Sequence, residues 1–125
     1  MATGMVAAAL VAGAAVPATA TAPTQTIFAS GTQRVSGLYL LITLHQRGSL
    51  SVSASAGRYH YRGFHRGSVP PHIPSQVRLK LSSGQARAAR RALRRGRHMT
   101  ATVRSTGRNQ SGESRTFIKR IKLKP

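Results

Sequence analysis

Six arginines fall within eleven residues of this sequence: Arg87, Arg90, Arg91, Arg94, Arg95 and Arg97, in RAARRALRRGR. A guanidinium is planar, permanently charged and carries N–H donors that match phosphate or carboxylate oxygens in pairs. Such a run can neutralise phosphates or anionic lipid headgroups. If all six did so, log affinity would fall against log salt with a slope of about −5. The run has no Asn or Gln on its basic face to read base edges. Only three Tyr and three Phe exist in the chain to stack on bases. The chemistry on offer is electrostatic attachment to a polyanion, set against a connecting helix whose solvated face is simply arginine.

Other reactive constellations are thin. The histidines are His45, His60, His65, His72 and His98, none at a helical or strand spacing that pairs metal ligands, and none near an acid that would orient it. Serines are plentiful, but the single carboxylate side chain is Glu113, in a turn-like segment. There is no G-x-S-x-G, no pair of acids and no phosphate-cradling glycine loop. Without cysteine there are no disulfides, thiolate sites or thiol nucleophiles. The expectation is a protein that is not an enzyme, with no metal, cofactor or small-molecule substrate.

Charge dominates the composition. Twenty Lys and Arg oppose one acid in 125 residues, a formal net charge of +19, and sixteen of the twenty are Arg. Such a chain repels itself and attracts nucleic acid, anionic lipid headgroups and acidic cell-wall polymers alike. GC-rich coding also favours Arg over Lys without selecting any function.

The first base is Arg34, and the opening is uncharged, rich in Ala, Val and Thr. Met5 to Val16 is an apolar run of signal-peptide length, too short to span a bilayer. Pro17 and an Ala18-Thr19-Ala20 cleavage pattern follow it. It departs from the usual leader in having no Lys or Arg before the apolar run. The expected organisation is a signal peptide at 1–20, a linker at 21–37 and one β-module at 38–125, secreted or held at the cell envelope.

The remaining elements must position the arginines. At most a short strand is expected in the linker, at Thr26–Ala29. Leu38, Leu40, Ile42 and Leu44 alternate with more polar residues, and so do Leu50, Val52 and Ala54, which predicts two strands joined as a hairpin through Gln46-Arg47-Gly48. Tyr59 and Tyr61 mark a short third strand. Gly63 to Ser75, with three prolines, reads as an irregular connection. Val77, Leu79 and Leu81 form a strand, and so do Met99, Ala101 and Val103. A turn over Gly107–Gly112 leads to a last strand at Thr116–Lys124, whose inner face Lys119 interrupts in the manner of a bulge or barrel-edge position. Between the middle strands lies one helix, about 83–95, capped by Ser82 or Ser83 and ended by Gly96.

The stretch 77–125 resembles the final part of an Ig-like or fibronectin type III-like module found in secreted and surface proteins of GC-rich actinobacteria. The resemblance rests on Val77, Leu79, Leu81 and Ser82 (V-x-L-x-L-S), on Arg91-Ala92-Leu93-Arg94-Arg95-Gly96-Arg97, and on Thr100-Ala101-Thr102-Val103. Asn109-Gln110-Ser111-Gly112 stands where the family has its turn, but Gly107-Arg108-Asn109 lacks the acid usual there. Residues 44–61 fit the earlier strands of the module more loosely. The resemblance implies an all-β, Ig-like sandwich of six to seven short strands with the helix in a crossover. It also implies a structural, adhesion or accessory role with no catalytic residues. The rival expectation from charge is an intracellular nucleic-acid binder of ribosomal or nucleoid-associated type.

Overall fold

The computed structural model describes residues 23–125. The expected signal peptide at 1–20 lies outside the described residues. In chain order the elements are β1 (Gln25–Phe28), β2 (Thr32–Arg34), β3 (Gly37–Leu44), β4 (Gly48–Ala56), β5 (Tyr59–His60), β6 (Phe64–Val69), β7 (Ser75–Lys80), α1 (Ser83–Arg94), β8 (Thr100–Asn109) and β9 (Ser114–Lys124). The fold is all-β with a single helix among the described residues. One sheet has the order β1-β3-β7. The other has six strands in the order β2-β9-β8-β4-β5, with β6 also paired to β4. Pairings are antiparallel except that of β2 with β9.

Period-two alternation fixes which residues turn inward. Leu38, Leu40, Ile42 and Leu44 of β3, Val77 and Leu79 of β7, Leu50 and Val52 of β4, Ala101 and Val103 of β8, and Ile121 of β9 are buried in one core that draws on both sheets. A polar pair crosses this core: Gln25 Nε2 of β1 donates to the Ser105 carbonyl of β8 over 3.1 Å, and Ser105 Oγ donates to Gln25 Oε1. Each buried group thereby satisfies the other.

Several expectations change here. Among the described residues the strands number nine, against the six to seven expected. Within the stretch read as a linker, β1 falls where a short strand is expected at Thr26–Ala29, and β2 is additional. The expected hairpin does not form: β3 pairs with β1 and β7, and β4 pairs with β8, β5 and β6, so the 45–47 connection passes from one sheet to the other. Alternation marks a buried face but says nothing of which strand lies alongside. The 63–75 stretch is not wholly irregular, because it includes β6, whose ladder with β4 shifts register between Gly48 and Leu50. Gly48 is obligatory there, since a Cβ would sit 1.9 Å from the Arg108 carbonyl oxygen. β8 runs on to Asn109, and β9 begins at Ser114 in unbroken register, so no bulge accounts for Lys119. Lys119 sits half-buried on the inner side of β9, and β2 covers that strand only at Lys122, Leu123 and Lys124.

The helix forms as expected. Ser82 is its N-cap and accepts from the Gln85 N–H at 3.4 Å. Gly96, at φ 90°, ends it: Gly96 N donates to Leu93 O at 3.0 Å and Arg97 N to Ala92 O at 3.3 Å. Ala86, Ala89 and Leu93 share one stripe and join the core. Like charges one turn apart destabilise an isolated helix by a few tenths of a kcal/mol per pair, so this apolar stripe is what holds α1 in place. No helix of the described residues is long and apolar enough to cross a membrane.

Candidate functional site: an arginine-lined groove

α1 links the two sheets, leaving β7 and leading into β8, and this sets its basic face beside the β4–β5 turn. At 3.6 residues per turn, Arg91 and Arg95 lie about 40° apart on the helix surface. Ala88 and Ala92 flank them with side chains too short to fill the space. The result is a groove of about 500 Å³ between α1 and the turn, lined by Arg91 and Arg95, by Arg97 and His98 of the following loop, and by Arg58 and Tyr59 of the β4–β5 turn. Gly57 makes that turn tight enough, at φ 59°. The Arg58 guanidinium carbon stands 5.9 Å from the Tyr59 ring centroid, within cation–π range.

The six arginines singled out from sequence therefore divide. Arg91, Arg95 and Arg97 meet in the groove, whereas Arg87, Arg90 and Arg94 do not line it. Arg87 and Arg94 are exposed elsewhere, and Arg90 is half-buried. Arg91 and Arg94 stand in the last turn, where their charge complements the helix dipole. Arg58, Tyr59 and His98 were missed by sequence reasoning. Arg58 is thirty-three positions before Arg91, and only the β4–β8 pairing, which runs from Gly48↔Asn109 to Ser55↔Thr102, brings its turn to the helix.

Among the described residues no acidic side chain lines this groove. Glu113 lies in the β8–β9 turn, at the other end of a ten-residue strand that spans ~30 Å at 3.3 Å per residue. Asn109 engages it there: Asn109 Nδ2 donates to Glu113 Oε1 at 3.1 Å, and Glu113 N donates to Asn109 Oδ1 at 3.0 Å.

A second basic hollow, about 520 Å³, lies by the start of the helix and is lined by Arg62, Arg78, Lys80, His60, Tyr61 and Ser82, among others. Arg62 N donates to Lys80 O at 2.8 Å, which sets those residues side by side, and the Arg78 guanidinium lies 5.2 Å over the Tyr39 ring. Burial pushes the Tyr61 phenol up to about 12. Its proton is donated to the Val35 carbonyl at 2.7 Å. This phenol is a structural donor rather than a base. The histidines are scattered: His65 Nδ1 contacts Ser51 Oγ at 2.8 Å, His45 Nε2 contacts Thr26 Oγ1 at 2.9 Å, and the His45 and His72 rings meet edge to face at 5.8 Å. Among the described residues no group of three or more His, Cys, Asp or Glu could hold a metal ion. In comparison with known proteins, the chain matches no family model and no curated protein.

Proposed function

We propose that this chain is a non-enzymatic, Ig-like β-module, secreted or held at the cell envelope, that attaches to anionic polymers or lipid headgroups by charge. One observation carries the reading. Arg58, Arg91, Arg95 and Arg97 converge on one groove, from two elements distant in sequence, with the only carboxylate side chain at the far end of the molecule. Each guanidinium is permanently charged and presents its donors as a planar fork, so little freedom is lost per hydrogen bond formed with an anion. The uncharged leader and its Ala18-Thr19-Ala20 pattern support export.

The test has two parts. Fractionation of producing cells with N-terminal sequencing should find a mature start near Thr21 outside the membrane; an intact Met1 in the cytosol together with nucleic acid that co-purifies at low salt would establish the intracellular nucleic-acid binder instead. Replacing Arg58, Arg91, Arg95 and Arg97 by Gln should weaken binding to an anionic wall polymer about 30-fold. That corresponds to four exposed contacts of about 0.5 kcal/mol each. Unchanged affinity would leave the module a spacer whose charge has no partner.

A further inference from the structure

The groove does not stop at the helix. Arg97, His98, Met99 and Thr100 line it, and the same four residues line a second hollow of about 340 Å³ whose far wall is Lys122 and Leu123 of β9. Thr100 and Lys122 are direct partners in the β8–β9 ladder. From there the outward positions can be followed along the sheet, Thr102 opposite Arg120 and Arg104 opposite Ile118. Their neighbours Ala101, Val103 and Ile121 are fully buried, so Arg104, Arg120 and Lys122 face solvent on the outer side of the six-stranded sheet. Successive outward residues of a strand are about 7 Å apart, and diagonal neighbours across a pair are about 7–8 Å apart. Lys122, Arg120 and Arg104 thus form a row of like charges at close, regular spacing. Such a row costs stability in the free protein.

Apart from exposed Ile118 opposite Arg104, the outward positions near this row are mostly hydroxyl-bearing. The outward positions of β4 are Ser49, Ser51, Ser53 and Ser55, and β8 adds Thr102 and Thr106. Hydroxyls can donate to phosphate oxygens without adding charge. No outward position of β4, β8 or β9 holds an aromatic residue, so the row itself has no ring on which bases could stack; the rings on this face, His60 and His65, stand on β5 and β6 opposite Ser55 and Ser51.

We propose that the groove and this row form one continuous track for a linear polyol-phosphate chain. The chain enters between α1 and the β4–β5 turn, passes Arg97 and Lys122, and leaves over Arg120 and Arg104. This rests on the polyanion reading above and adds to it a path, a minimum length and a ligand class: an unbranched phosphodiester polymer without bases.

The test uses the full chain and fluorescence anisotropy with labelled poly(glycerol phosphate) of three and of ten repeats, alongside a ten-residue thymidine oligonucleotide. The decamer should bind more than tenfold tighter than the trimer. Its log–log salt slope should be about −5, as expected for seven phosphate contacts on a flexible chain, falling to about −3 in R104Q/K122Q/R120Q. The same triple variant should bind the trimer unchanged, because the trimer occupies the groove alone. R91Q/R95Q should weaken both. If the triple variant binds the decamer like the parent while R91Q/R95Q does not, the track is refuted and the groove remains a polyanion site. If the oligonucleotide binds at least as tightly as the decamer, the ligand class is refuted. If no probe binds, both readings fall. Far-ultraviolet circular dichroism and melting establish that each variant is folded. Should the triple variant unfold, the amides of Thr102 and Arg120 in the parent decide: they should shift with the decamer and not the trimer, and equal shifts with both would overturn the track.

Discussion

Tyr61 ties the short β5 region to the chain between β2 and β3 through its bond to the Val35 carbonyl. Removing one partner of a buried hydrogen bond costs about 1–3 kcal/mol, so Tyr61→Phe should destabilise the fold by roughly that amount at neutral pH. The pH dependence has a definite sign. Burial raises the folded-state pKa from 10.0 to about 12, so the contribution of the neutral phenol is complete below 10 and is lost as the pH rises towards 12. Thermal melts of the parent and Tyr61→Phe should therefore show a constant gap up to about pH 10 that narrows beyond it; a gap independent of pH across that window would contradict this account. None of it is readable in the sequence, where Tyr61 is simply the second tyrosine of a Y-x-Y alternation and Val35 lies in an apparent linker.

What the elements are made of was legible where the determinants are local. Ser82, the Ala86–Ala89–Leu93 stripe and Gly96 define α1 by cap, period and stop, and each is found in that role. The inward faces of β3, β4, β7 and β8 were legible for the same reason. Partnership was not, because β3 and β4 alternate equally well whether they pair with each other or face each other from different sheets. β6 escaped because only Val69 of its six residues is buried, leaving no period to detect. Half of the groove was legible in the same sense: Arg91, Arg95 and Arg97 stand in the arginine run, whereas Arg58 reaches them only through long-range pairing. A prediction belongs at this scale. Leu93→Ala removes the largest anchor of α1 and should cost 2–4 kcal/mol in urea unfolding, with groove binding weakened as the helix loosens. A loss below about 0.5 kcal/mol would mean the alanines alone hold the helix.

For the molecule as a whole, a net charge of +19 with one acid means that folding concentrates charge that nothing inside neutralises. Salt should accordingly stabilise the fold. Raising ionic strength from about 0.01 M to 1 M shortens the screening length from about 30 Å to about 3 Å, and the melting temperature should climb with it. At low salt, a polyanion at a hundred times its dissociation constant should add about 2.7 kcal/mol, and this gain should vanish in high salt. A melting temperature that falls with added salt would mean that self-repulsion does not limit stability.

The outer flank of β9 bears on how copies of the chain meet one another. Among the described residues β2 pairs only with the last three residues of that strand, so over Ser114 to Ile121 the backbone groups that do not face β8 line an edge. A second copy pairing there would cover half-buried Lys119, which shares the inner face of β9 with Phe117 and Ile121. The residue that spoils the alternation of β9 thus makes the border a poor template for fibril growth. Should a polyanion screen the repulsion between copies as proposed above, the cost of covering the Lys119 charge still disfavours growth along this edge.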